Sequence, residues 1–181
     1  GIGPCYSDKA SRLGVRMGDL LDDATILERL NKALPRNKAL LSHYGVENDL
    51  TVDVLFDMCK SWRNKLKDMI TDTSLLINNH VVDGANVLLE GAQGVHIDIE
   101  YGTYPFVTSS SPTTSGAALG SGIAPNKISE VVGVTKAYLT RVGSGPFPTE
   151  LEDDIGELIR DKGQEFGTTT GRPRRCGWLD L

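Results

Sequence analysis

The sequence predicts an α/β fold, and three observations carry that expectation. The apolar run Val87-Leu88-Leu89 has the pattern of a strand buried on both faces of a sheet, and it breaks into Gly91-Ala92-Gln93-Gly94. A second segment, Ile128 to Val142, is rich in Val, Thr and Tyr and leaves through the glycine and proline loop 143–149. Residues 20 to 82 repeat apolar side chains at helical spacing, which predicts a block of helices.

The opening 18 residues are dense in glycine and charge, and Pro4 with the glycines predicts an irregular start. If Ser7 or Asp8 caps a helix, Lys9, Arg12 and Arg16 fall on one side of it. Three cations on one side suit a phosphate or carboxylate partner, and a solvated basic face is the plainer alternative. From Leu20 to Leu41 a helix is expected, capped by Asp22 or Asp23 and ended or kinked by Pro35. Gly45 and Asn48 read as a loop. A longer helix follows over 52–70, with Val54, Leu55, Met58, Trp62, Leu66 and Met69 on its inward stripe. Thr71-Asp72-Thr73 restarts a helix that carries Leu75, Leu76 and Ile77, with His80 near its end as a capping or packing residue.

After the strand at Val87, residues 95–99 alternate apolar and polar side chains. Asp98 and Glu100 lie near Gln93 in sequence and read as surface carboxylates. The hydroxyls of 108–115 and the glycines at 116, 120 and 122 predict loops, and no dinucleotide fingerprint is completed. Ligands of open α/β sheets bind just past the strand ends, so the stretch from Val87 to Gly116 is the candidate site for a small, oxygen-rich ligand. A short acidic helix is expected over 151–163, with Leu151, Ile155, Leu158 and Ile159 inward and Gly163 as its cap. The segment 167–178 then sets three threonines and three arginines within eight residues, a cluster suited to bidentate recognition of carboxylate or phosphate.

Composition narrows the function classes. Hydrophobic residues at 39% and charged residues at 24% suit an ordinary globular protein. A net charge of -5 argues against a general nucleic-acid binder, and no apolar run nears the ~20 residues that span a membrane. The three cysteines, Cys5, Cys59 and Cys176, are odd in number and far apart, which favours reduced thiols in a cytoplasmic protein. His43, His80 and His96 have no metal-ligand spacing, so no metal site is assigned to them. The start at Gly1 leads to the expectation of a piece of a longer chain.

Four stretches, GIGPCYSDKASRLGVRMGDLLD, VLLEGAQGVHIDIEYGTYPFVTSSSPTTSG, KAYLTRVGSGPFPTE and EFGTTTGRPRRCGWLDL, resemble the adenylosuccinate synthetase family, in the family's order. The resemblance covers residues 1–181 as the central part of a single synthetase domain. It implies a mostly parallel sheet flanked by helices, a P-loop-like synthetase fold truncated at both ends, with 20–82 as a helical block inside it. It also implies a ligase of purine biosynthesis, acting in the first committed step toward AMP. In that family GTP phosphorylates the 6-oxygen of IMP, and the amine of L-aspartate then displaces phosphate, giving adenylosuccinate, GDP and phosphate.

By resemblance, Gln93 contacts the IMP base and stabilises the 6-oxyanion, and Thr108 holds the IMP 5′-phosphate. Arg12 reaches that phosphate in the neighbouring subunit's site, which implies a homodimer; Lys9 and Arg16 belong to the same region. Thr168, Thr169, Thr170, Gly171, Arg172, Pro173 and Arg174 match the loop over aspartate. Within it, Arg172 bridges aspartate and IMP, and Arg174 faces GTP. The family's phosphate loop, GDEGKGK, is not in this sequence. With it go the aspartate that serves as general base and Mg²⁺ ligand and the histidine that serves as general acid. The chain alone is therefore expected to be inactive, with Mg²⁺ ligands outside it. The alternatives are a non-catalytic dimerising or IMP-binding fragment, and an unrelated anion-binding module built on Arg172–Arg175.

Overall fold

The computed structural model describes residues 2–167 and 171–180. The chain divides into two compact units, Gly1–Leu88 and Leu89–Leu181.

The first unit is helical. The irregular start expected of Pro4 and the glycines is instead a helix, α1 (Gly3–Ala10), with Ser7 and Asp8 inside it. Pro4 fits its first turn because the N–H that proline lacks has no intrahelical partner there. The helix stops at once: Arg12 turns to φ 62°, and the N–H groups of Leu13 and Gly14 both donate to the Asp8 carbonyl. Lys9, Arg12 and Arg16 therefore do not share one helical face, contrary to expectation, because a left-handed residue ends the helix between them. A 3-10 turn, Met17–Leu21, leads into α2 (Asp23–His43), whose cap is Asp22, accepting the Thr25 N–H at 2.7 Å.

Pro35 does not end α2, which continues to His43. Both of its halves are tied to other segments. Ile26 and Leu30 are buried on the first half. Arg36 pairs with Asp8, and Lys38 donates to the Leu50 carbonyl at 3.1 Å on the second. Those contacts outweigh one lost hydrogen bond. Helices α3 (Val52–Leu66) and α4 (Thr73–Val82) start at Thr51 and Asp72, each accepting a backbone N–H three residues on. The inward face of α3 is set differently from the expected stripe. Cys59 is buried with Leu20, Ile26 and Leu30, and Val52, Leu55, Phe56 and Ile70 pack against them. Met58, Trp62 and Met69 are exposed. The helix is rotated so that Val52, Leu55, Phe56 and Cys59 meet the core, keeping Leu55 of the expected stripe, and spacing alone does not set that rotation.

The second unit has less regular structure. Strands β1 (Tyr138–Arg141) and β2 (Arg175–Trp178) pair antiparallel, Tyr138 opposite Trp178 and Arg141 opposite Arg175. They are the only two strands among the described residues. The expected strand at Val87–Leu89 is absent, and Leu88 is 89% exposed. The expected strand over 128–142 shrinks to its last part, with Val134 94% exposed. A strand needs a neighbour to take its backbone hydrogen bonds, and among the described residues neither 87–89 nor 131–134 is paired in a sheet.

Two further expectations change. The glycine-spaced stretch after Thr113 is helical, α5 (Thr114–Ser121), closed by Gly122 at φ 73°. Gly116 serves packing there, since a Cβ would overlap the Ser111 carbonyl. Residues 95–97 form a 3-10 turn and not an extended segment. The acidic helix α6 (Asp154–Gly163) is capped by Asp153, and Gln164 takes the left-handed position expected of Gly163. Gly163 is required instead by the Tyr138 hydroxyl, which a Cβ would overlap. Ile155 and Leu158 are exposed, and the buried position of α6 is Gly156.

Candidate functional site

The loop that follows Leu89 folds back on itself. Thr108 N–H donates to the Ile97 carbonyl at 2.8 Å, and Ile99 N–H to the Ser110 carbonyl at 3.2 Å. These two bonds lay 108–110 alongside 97–99. A Cβ on Gly91 would sit 3.3 Å from the Pro112 carbonyl, so the backbone passes close there. Gln93 adopts φ 69°. Its Oε1 accepts the Ser110 hydroxyl at 3.0 Å, and Ser110 Oγ lies 3.3 Å from Thr108 Oγ1. Gln93 and Thr108, fifteen residues apart in sequence, are thus joined through Ser110. With Oε1 engaged, the donor end of the amide makes no hydrogen bond among the described residues. That leaves a neutral N–H₂ and a row of hydroxyls, an arrangement able to contact a carbonyl or phosphate oxygen.

Asp98 supports this loop. It is fully buried, which corrects its reading as a surface carboxylate. Its Oδ1 accepts the N–H groups of Glu100 at 2.8 Å and Tyr101 at 3.2 Å. Burial pushes the carboxyl up, but those two N–H groups with Thr113 beside them outweigh it and hold it below the usual range. Arg141 clamps the far side of the loop. Its Nη2 donates to Thr103 Oγ1 and to the Phe106 carbonyl, both at 2.8 Å, while Nε donates to the Ser144 carbonyl.

The arginine segment is assembled around carboxylates of this same unit. Arg175 holds Glu150 through Nε and Nη2 and donates Nη1 to the Gly143 and Gly145 carbonyls at 3.1 and 2.9 Å. Its Glu150 partner is held below the usual carboxylate range, first by that Arg175 hydrogen bond. Arg174 Nη1 meets Glu165 Oε2 at 2.6 Å. Two of the three guanidiniums expected to form an open anion cluster are therefore committed to internal carboxylates. Arg172 is exposed, and a Cβ on Gly143 would lie 4.0 Å from its Nη1. Gly171, at φ 63°, donates its N–H to the Gly167 carbonyl at 2.7 Å, and Gly167 N–H returns to the Arg172 carbonyl at 2.8 Å. Phe166 and Pro173 face each other as an antiparallel bridge. Thr168, Thr169 and Thr170 lie outside the described residues.

Arg12 sits in the first unit, exposed just past α1. Ser110, Asp98, Arg141 and Glu165 are the residues that sequence reasoning missed. Ser110 carried a signal, its place in a hydroxyl run beside Thr108. Glu165 carried none, because its partners Lys136 and Tyr138 are 29 and 27 residues away. Among the described residues no three His, Cys, Asp or Glu side chains converge to hold a metal ion. No described helix is long and apolar enough to cross a membrane.

Comparison with known proteins agrees along the whole chain. The family model of adenylosuccinate synthetase matches residues 1–181. The adenylosuccinate synthetase of Caldanaerobacter subterraneus subsp. tengcongensis is 50% identical over 182 residues, covering 100% of this chain and 42% of that protein. That of Heliobacterium modesticaldum is 53% identical over 181 residues, covering 99% of this chain and 42% of its own length. A fully ligated adenylosuccinate synthetase from Plasmodium falciparum matches in structure with a TM-score of 0.88 at 46% identity, over 99% of this chain and 41% of that one. The chain spans less than half the length of these relatives.

Proposed function

The chain belongs to the adenylosuccinate synthetase family, and from that membership we propose that it furnishes the IMP-facing wall of a ligase. The reaction joins IMP and L-aspartate while GTP is cleaved to GDP and phosphate, through 6-phosphoryl-IMP. The observation that carries this assignment is the hydrogen-bonded row Gln93–Ser110–Thr108.

In this mechanism the Gln93 amide donates to the 6-oxygen of IMP as negative charge grows there, a preorganised donor that needs no reorganisation during phosphoryl transfer. Ser110, holding the amide oxygen, keeps the donor end turned to the base. Thr108 takes the 5′-phosphate. Arg172 bridges aspartate and IMP, with Thr168–Gly171 and Pro173 completing the aspartate loop. Arg174 faces the guanine nucleotide. Arg12 reaches the IMP phosphate of a second subunit, a homodimeric arrangement supported by its exposure beyond α1. Proton transfer is assigned to groups outside 1–181. Mg²⁺, whose ligands are also placed outside this chain, would screen the GTP phosphates. The finer fold assignment, a mostly parallel sheet, is part of the same proposal. Residues 87–89 and 131–134 have the apolar character of strands and lack sheet partners, with Val87, Leu88 and 131–134 exposed. A cytoplasmic location accompanies this function.

The test is a chimera in which residues 1–181 replace the matching segment of the Caldanaerobacter synthetase. Supplied with IMP, GTP, aspartate and Mg²⁺, it should release phosphate only when IMP is present, and Gln93→Ala should lower kcat about 100-fold. The isolated 1–181 chain should show no turnover. An inactive chimera, or full activity after Gln93→Ala, would overturn the assignment.

A further inference from the structure

Glu165 is, with Asp98, one of the two buried charged groups among the described residues of the second unit. It is 4% exposed, in the irregular stretch between α6 and β2. Its two carboxylate oxygens are divided between different donors. Oε1 accepts Lys136 Nζ at 2.8 Å and the Tyr138 hydroxyl at 2.6 Å, whereas Oε2 accepts Arg174 Nη1 at 2.6 Å. Lys136 is itself held by Thr140 Oγ1 at 2.7 Å, so β1 and the residues just before it fix the plane of the carboxylate. Burying a charge is costly, and a well-packed apolar residue could stabilise the same place as well or better. A carboxylate with this division of donors sets a geometry.

The geometry it sets is that of Arg174. The main chain of Arg174 is already pinned on both sides: its N–H donates to the Glu165 carbonyl at 2.9 Å, and its carbonyl accepts Arg160 Nε at 2.9 Å. The side chain, with its several rotatable bonds, is held by the Glu165 contact. That contact occupies one of the five N–H donors of the guanidinium, and the side chain stays 30% exposed. Glu165 also separates Arg174 from Lys136, which would repel each other across a neutral residue.

We infer that Glu165 is a positioning residue for nucleotide use, holding the Arg174 guanidinium through Oε2 while Lys136 and Tyr138 hold Oε1. This role rests on the proposed assignment of Arg174 to the guanine nucleotide. It touches no substrate itself and acts only through Arg174.

Steady-state kinetics of the chimera test it. Glu165→Gln should raise KM for GTP about tenfold, with kcat at saturating GTP and KM for IMP each changed less than about threefold. In an Arg174→Met background Glu165→Gln should add nothing to KM for GTP. Tyr138→Phe, which loosens Oε1 but spares the Arg174 contact, should raise KM for GTP in the same direction as Glu165→Gln and by less. Should Glu165→Gln not fold, Glu165→Asp keeps the charge and withdraws the carboxylate by one carbon, with the same readout. If Arg174→Met leaves KM for GTP unchanged, the assignment of Arg174 fails. If Arg174→Met raises it but Glu165→Gln does not, or if the two effects multiply, the positioning role fails.

Discussion

In the first unit α2, α3 and α4 each begin at a side chain that caps its own helix three residues on, Asp22 to Thr25, Thr51 to Val54 and Asp72 to Leu75. In the second unit the bonds that shape the loops join distant residues. Arg175 meets Glu150 25 residues back, Lys136 meets Glu165 29 residues on, and Arg141 meets Thr103 38 residues back. The helical unit is therefore a set of local decisions assembled on a small apolar core. The other unit is a set of loops whose shapes exist only once distant charges have met. The proposed chemistry, Arg12 aside, falls on the second kind, where a loop can be aimed without the constraint of a regular backbone.

That contrast can be broken most sharply at Arg175. Arg175→Met strips Glu150 of its bidentate partner and frees two glycine carbonyls, so it should cost about 3–5 kcal/mol in urea unfolding. Amide exchange should rise across 143–150 and 175–178 while α2 and α3 stay protected. Uniform loss of protection would mean that the two units share one network.

The next effect in size is pH-dependent. Burial pushes the Glu165 carboxyl up, yet Lys136, Tyr138 and Arg174 together bring it down to about 2 from the ordinary 4.5. Because the folded value lies below the unfolded one, this contribution is complete above pH 4.5 and is lost as pH falls through about 2. Thermal unfolding should therefore give a stability gap between the parent chain and Glu165→Gln that narrows by about 3 kcal/mol from pH 6 to pH 2. A gap independent of pH would show that Glu165 is held mainly by packing.

Smaller effects mark the local side of the comparison. Thr51→Ala removes only the cap of α3 and should cost about 1 kcal/mol, with exchange rising in its first turn alone. Ser110→Ala should cost about 0.5–1 kcal/mol of stability while raising KM for IMP in the chimera, since it frees the Gln93 amide to rotate. Unchanged KM would detach Ser110 from the site.

Much of the site was legible as composition and little of it as geometry. The glycine-bracketed amide at Gln93 and the hydroxyls from Thr108 onward stood out because small and polar residues rarely cluster without a turn or ligand to serve. Their connection through Ser110 was not legible, because it depends on 108–110 folding back along 97–99. Asp98 looked like a surface acid for the same reason: its burial comes from the returning chain. The arginines misled in the opposite direction. Their density pointed to an external anion, but Arg174 and Arg175 are met first by Glu165 and Glu150.

By itself the sequence placed the helices α2, α3, α4 and α6, since caps and spacing act over three or four residues, and its four long motifs in order carried the resemblance to the family. Only the tertiary structure decided which face of α3 turns inward, that α2 continues past Pro35, and that α5 is a helix. It also decided that 87–89 and 131–134 remain unpaired here. Each of these turns on partners distant in the chain, for burial and strand pairing belong to two segments at once and cannot be assigned to either one alone.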